Sequence, residues 1–227
     1  RKKESFPGFM HLFIFWGFVI LAMGAGLDAL QHHVVGPLFG IEFLKGDFYL
    51  IFSFFLDLAG LAAIIGVIMA LWRRYVTKPE RLDNKPDDFI TLIWILVVLV
   101  TGFVLEGLRI AHSMPPYEIW SFVGWFTASF FSGLSKDCLL TAHRIFWYVH
   151  MLISFGLIAY IGYSRLRHIV TSSLNMLFRG VEDAPRGAVA PITDFETAEE
   201  FGVNAIQGFT WRQMLDFDAC TRCGRCQ

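Results

Sequence analysis

Charge is what this chain of 227 residues has least of: 17% of its residues are charged, and the formal net charge is −1. A charge complement so thin and so balanced gives no electrostatic case for binding nucleic acid. Cysteine is scarce as well. There are four, three of them within seven residues of one another, so the chain is not a disulfide scaffold. A secretory signal peptide is not expected, because the first apolar segment is too long for an h-region and lacks a cleavage site. Apolar bulk takes the place of charge. Hydrophobic residues make up 55%, with 24 Phe and 7 Trp, and mean hydropathy is +0.52. That much apolar surface excludes disorder, and its long unbroken runs argue against a soluble globule. The chain opens on Arg1 and closes on Gln227 inside a cysteine motif, so it reads as a piece of a longer polypeptide.

Crossing a bilayer takes about 20 apolar residues. Four stretches qualify: 9–30, with Asp28 its only charge; 48–72, with Asp57; 89–111, with Glu106 and Arg109; and 138–163, with Arg144. A fifth uncharged run, 119–135, is too short and too rich in Ser and Gly to span. It reads as an interfacial half-helix, set off by Pro115 and Pro116. Basic residues at the span ends set the orientation. Arg1, Lys2, Lys3, Arg73, Arg74, Lys78, Arg81, Lys85, Arg165, Arg167, Arg179 and Arg186 fall on one side, against Lys45 and Lys136 on the other. Both chain ends are expected on the cytoplasmic side of the cell membrane, in agreement with an even number of spans. The fold class expected is an all-α membrane bundle followed by the start of a cytoplasmic iron–sulfur domain. The boundaries are 1–179 for the membrane domain, 180–208 for a polar linker and 209–227 for the start of the last domain.

Histidines in lipid-facing segments face a bundle interior more often than lipid. Read as one continuous helix, the fourth span and its exit place His150 and His168 about five turns apart on one face, with an axial separation of about 27 Å. Two stacked b haems fit such a stripe, because imidazole is a good axial ligand and helical bundles clamp cofactors between facing side chains. By depth His11 pairs with His168. His150 needs an outer partner from the first helix, and rotation favours His33 over His32. His143 is an alternative to His150 as the outer ligand. Arg165 and Arg167 lie near the inner haem and are candidate partners for its propionates. Glu106 and Arg109, three apart, can form an ion pair on one helix face.

The stretches Arg144-Ile-Phe-Trp-Tyr-Val-His150 and Tyr163-Ser-Arg-Leu-Arg-His168-Ile resemble the last helix of the gamma subunit of respiratory nitrate reductase, a di-haem b quinol oxidase. The resemblance implies that His150 and His168 are axial ligands to different haems. Farther on, Cys220-Thr-Arg-Cys223-Gly-Arg-Cys226 is C-x2-C-x2-C, the opening of the ferredoxin run that holds a [4Fe–4S] cluster. A zinc site typically shows separated C-x2-C pairs instead. The two features together resemble the membrane-bound iron–sulfur oxidoreductases related to heterodisulfide reductase. What that resemblance implies is electron transfer between a cytoplasmic partner, such as electron-transfer flavoprotein, and menaquinone.

The expected function is therefore a quinone-linked oxidoreductase carrying one or two b haems and a [4Fe–4S] cluster. The alternatives are a haem-free membrane anchor that docks a soluble iron–sulfur enzyme, and a transporter using its in-membrane His and carboxylates. For the quinone, the outer half is expected, beside His143, His112 and Trp125 of the aromatic half-helix, in an apolar cleft with one or two polar donors.

Overall fold

The computed structural model describes residues 5–178 and 205–221, together with positions 181, 196 and 203. It is helical, with no strand among the described residues. Four helical stretches are long and apolar enough to cross a membrane: Ser5–Phe39, Gly46–Thr77, Pro86–Ser113 and Lys136–Tyr160. The all-α multi-pass bundle expected from hydropathy is the one that forms.

Helix α1 (Ser5–Leu30) runs through a π-turn, Gln31–Val35, into the single turn α2 (Gly36–Phe39). Helix α3 (Gly46–Leu71) ends in a second π-turn, Trp72–Thr77. Helix α4 (Pro86–Ser113) is followed by a 3-10 turn, Pro116–Trp120, and the short helix α5 (Phe122–Ser129). Helix α6 (Lys136–Tyr160) is the fourth span. After a 3-10 turn, Arg165–Arg167, come α7 (His168–Leu177) and then, past a 3-10 turn at Ile206–Gly208, α8 (Trp211–Asp218).

The first three spans extend beyond their apolar runs. A backbone in lipid has no water to bond, so a helix persists until polar groups can take over. Clear punctuation ends them. Gly40, at φ 65°, closes α2 in the left-handed region that glycine tolerates. Met114 closes α4 just before Pro115 and Pro116, which cannot continue it. Helix α4 opens with Pro86, and the Asp88 carboxylate accepts from the Lys85 amide at 2.9 Å. The half-helix expected at 119–135 condenses into the eight residues of α5, far short of a span.

Small residues bring α1 and α3 together. Gly17 lies against Ala59 and Ala63, and Gly66 against Met10 and Ile14. Farther along α3, Gly60 receives the ring of Phe103 from α4, and Gly107 of α4 receives Thr127 of α5. Helix α6 meets α4 differently, through long side chains. Trp94 donates its indole N–H to the Ile153 carbonyl at 3.0 Å, and Gly156 lies against the same ring. Only Leu139 and Leu157 of α6 are buried.

The chain divides into two compact units, Arg1–Pro79 with Asn84–Ala159, and Glu80–Asp83 with Tyr160–Gln227. The division corrects the periodicity argument. His150 and His168 do not share one helix, because α6 stops at Tyr160 and His168 opens α7. The break has a local cause: turn residues at 161–163 lead to Ser164, whose Oγ accepts from the Leu166 amide at 3.2 Å and caps the 3-10 turn. The phase between His11 and His33 is altered as well, since His32 and His33 lie in a π-turn with wider i→i+5 hydrogen bonding.

Candidate functional site

His150 lies near the middle of α6, and its ring turns toward α4. Nδ1 is 2.9 Å from the Thr101 hydroxyl, and Cε1 lies over Gly102. The Thr101 hydroxyl already donates to the carbonyls of Val97 and Val98, at 2.8 and 3.1 Å. When that proton serves a carbonyl, the hydroxyl accepts from the ring, Nδ1 carries the hydrogen and Nε2 the lone pair. His168 reaches the same state by another route. Its Nδ1 is 2.6 Å from the Arg165 carbonyl, which only accepts, so Nε2 again holds the lone pair. Tethering one ring nitrogen so that the other presents its lone pair is how proteins orient metal-binding histidines. The donor chemistry at His150 and His168 therefore fits axial ligation of a b haem.

The other predicted ligands are placed less distinctively. His11 is exposed and stacked on Phe15, with ring centroids 6.2 Å apart. His33 is exposed in the π-turn beside His32, whose Nδ1 meets the Asp28 carbonyl at 3.0 Å. His11 belongs to the first compact unit and His168 to the second. Arg165 donates to the carbonyls of Asp83 and Thr221, at 3.2 and 3.5 Å, and Arg167 lies 3.6 Å from Asp218. Cys220 is exposed just past α8, while Cys223 and Cys226 lie outside the described residues.

A second polar group gathers where α3 begins and α4 ends. Glu118, 2% exposed, is surrounded by donors. Arg109 grips both carboxylate oxygens, the second at 3.1 Å; Tyr49 donates at 2.9 Å and Ser121 at 3.2 Å. Burial alone pushes the Glu118 carboxyl up, but the hydrogen bonds and charge of Arg109, joined by Tyr49 and Ser121, hold it below the usual carboxylate range. The ion pair expected between Glu106 and Arg109 is thus secondary, at 3.9 Å. Glu118 wins because it offers both oxygens to the guanidinium fork.

Next to it, Asp57 is buried on α3 and accepts from the Val123 and Gly124 amides, at 2.6 and 3.2 Å. A carboxylate from one span thereby caps α5. Glu106 packs so closely on Gly124 that a Cβ there would stand 2.5 Å from its carboxyl carbon. Asp57 and Glu106 thus both face the start of α5 at Gly124. His143 of α6 and Trp125 of α5 are both half-buried.

Glu118, Ser121, Tyr49 and Thr101 were not singled out by sequence. Glu118 carried a usable signal, as the lone acid between Pro116 and Lys136 beside an in-membrane arginine in need of a partner. Thr101 carried none, being one of several hydroxyls in apolar helices.

Residues 11–182 match the nitrate reductase gamma subunit family. Among curated proteins, the chain is 41% identical over 235 residues to the EtfAB:quinone oxidoreductase of Syntrophomonas wolfei, covering 99% of this chain and 32% of that protein. It is 28% identical over 224 residues to the probable iron–sulfur-binding oxidoreductase FadF of Bacillus subtilis, covering 99% of this chain and 31% of the relative. It is 30% identical over 179 residues to a component of the dihydromethanophenazine:CoB–CoM heterodisulfide reductase of Methanosarcina acetivorans, covering 78% of this chain and 60% of that component. The chain thus spans about a third of the length of the first two relatives. No solved structure matches.

Proposed function

We propose that this chain, which belongs to the nitrate reductase gamma subunit family, is the membrane part of an oxidoreductase that transfers electrons between a cytoplasmic donor and menaquinone. The observation that carries this reading is the pair of imidazoles at His150 and His168, each held through Nδ1 by a hydrogen bond within the chain. Bound there, b haem supplies one-electron chemistry. The residues do the rest: Thr101 and the Arg165 carbonyl fix the two ring orientations, with His11 and His33 as candidate second ligands. Cys220, Cys223 and Cys226 are the ligands of a [4Fe–4S] cluster, and electron-transfer flavoprotein is the class of donor that the name of the Syntrophomonas relative suggests.

Quinone reduction consumes two protons along with two electrons. Asp57 and Glu106, both against the start of α5, are the candidate proton-holding groups, in a polar cluster that includes Arg109. We place the quinone beside that cluster, against His143 and Trp125, on the face away from the cytoplasm.

The test is a reduced-minus-oxidised optical spectrum of the purified protein. A b-type alpha band is expected, with the haem content per chain falling by one on His168→Ala. Absence of the band overturns the reading in favour of a haem-free anchor. Full haem and full quinone turnover in His168→Ala overturns the ligand assignment.

A further inference from the structure

Helix α7 is split lengthwise into two faces. At about 100° per residue, Met176, Ile169, Ser173, Leu177, Val170 and Leu174 follow one another around an arc of about 160°, while Thr171, Asn175, His168 and Ser172 fill the opposite side. In a unit surrounded by water, the apolar arc is the one that a neighbouring helix covers. Here α8 covers the polar side. The Thr171 hydroxyl donates to the Asp218 carbonyl at 3.3 Å, the Asn175 amide donates to the Asp216 carboxylate, and Arg212 of α8 donates to the Asn175 side-chain oxygen at 2.8 Å. The apolar arc is left open: Leu177 is 73% exposed, Met176 66% and Val170 52%, and no residue of α7 is buried.

The place of α7 in the chain identifies the medium beneath that arc. Tyr160 ends the fourth span, and residues 161–167, between it and His168, would reach at most about 25 Å fully extended. They are not extended. The Tyr163 and Ser164 amides donate to the Tyr160 carbonyl, both at 3.1 Å, and the Arg167 amide donates to the Ser164 carbonyl at 3.1 Å. The apolar arc is thus tethered closely to the end of a membrane-spanning helix. Ser173 is the polar residue within the arc, and its hydroxyl donates back to the Ile169 carbonyl at 2.8 Å, so it needs no water. A seam with another protein normally carries hydrogen bonds along with its apolar contacts, and this arc has no side-chain donor left to offer. Arg165 and Arg167 precede the helix, and their charge is of the sign that anionic headgroups attract.

We infer that α7 is an interfacial helix, lying along the bilayer surface with Val170, Leu174 and Leu177 among the acyl chains and its polar side turned to α8. Amphipathic helices in this plane sink their apolar face about 5–10 Å into the boundary between headgroups and chains. Helix α8 then rests on a platform fixed to the membrane surface rather than hanging from the end of a span.

The experiment uses the intact protein in vesicles of phosphatidylethanolamine and phosphatidylglycerol. A benzophenone amino acid replaces Val170, Leu177 or, on the polar side, Ser172, and the photoproducts are identified by mass spectrometry. Lipid adducts are expected at Val170 and Leu177, about tenfold or more above those at Ser172. Val170→Asp supplies a second measurement. An acid in the first turn favours a helix in water, so an α7 bathed in solvent would be steadied by it. Against lipid, the substitution gives up the burial of a valine, and amide hydrogen exchange across 168–177 should quicken by about tenfold to a hundredfold. Peptide adducts at Val170 and Leu177 overturn the inference in favour of a protein partner. Absence of lipid adducts there overturns it in favour of solvent, and unchanged or slower exchange in Val170→Asp overturns it as well.

Discussion

Two helix seams in this bundle are built on opposite principles. Between α1 and α3, glycine and alanine let the backbones touch, and the contacts of Gly17 include the Ala59 carbonyl. Between α4 and α6, Trp94 and His150 reach across to hydrogen-bond their neighbours, and α6 buries little of itself. In lipid, where apolar burial does not distinguish protein from solvent, helices associate by close packing or by polar contacts. The α1–α3 seam uses the first and works as scaffold. The α4–α6 seam uses the second and carries the candidate ligand, because an imidazole that must present a nitrogen to iron needs orientation more than it needs close packing.

The largest effect is expected at Glu118, which joins α3 and α4, the inner members of both seams. Glu118→Ala leaves Arg109 without its main partner and should cost about 3 kcal/mol, the low end for a buried pair because Arg109 is partly exposed. Thermal unfolding in detergent measures it. The same carboxyl has a pH signature. Its folded pKa is lowered, so its contribution is complete above the unfolded value of about 4.3 and is lost as pH falls through the lower folded value. Glu118→Gln should flatten stability across that acidic window.

Next in size comes the close seam. A Cβ on Gly17 would stand 2.8 Å from the Ala59 carbonyl, so Gly17→Leu should force α1 off α3 at about 2 kcal/mol. Haem spectra should change little, which would separate scaffold from site; a large spectral change would erase the contrast between the seams. Thr101→Val removes the hydroxyl partner of His150 at about 1 kcal/mol and should shift the haem midpoint potential, while Thr101→Ser restores it. The smallest effect is expected for Trp94→Phe, which gives up one hydrogen bond to Ile153, about 0.5–1 kcal/mol, and should leave the potential alone.

The spans were legible because hydropathy and length suffice to define them, and their ends were short only by the turns that continue past the apolar runs. The proline pair gave away the interruption before α5. The end of α6 was not legible: 161–163 contains a single glycine, and the cap by Ser164 acquires meaning only once the turn exists. That hidden break is why a sound geometric rule, applied across His150 and His168, ran over two helices instead of one. The Glu118 network was hidden for a related reason. Its members come from α3, α4 and the turn before α5, and Tyr49 and Glu118 are 69 residues apart, beyond any periodicity.

Asp57 has a consequence for assembly. Helix α5 has no side-chain cap of its own; its first amides are answered by a carboxylate from α3, 66 residues earlier in the chain. A peptide of eight residues is too short to hold a helix by itself. Helix α5 is therefore a product of the bundle rather than a seed for it. Its first turn is completed by α3, so the aromatic wall it carries depends on α3 standing beside it.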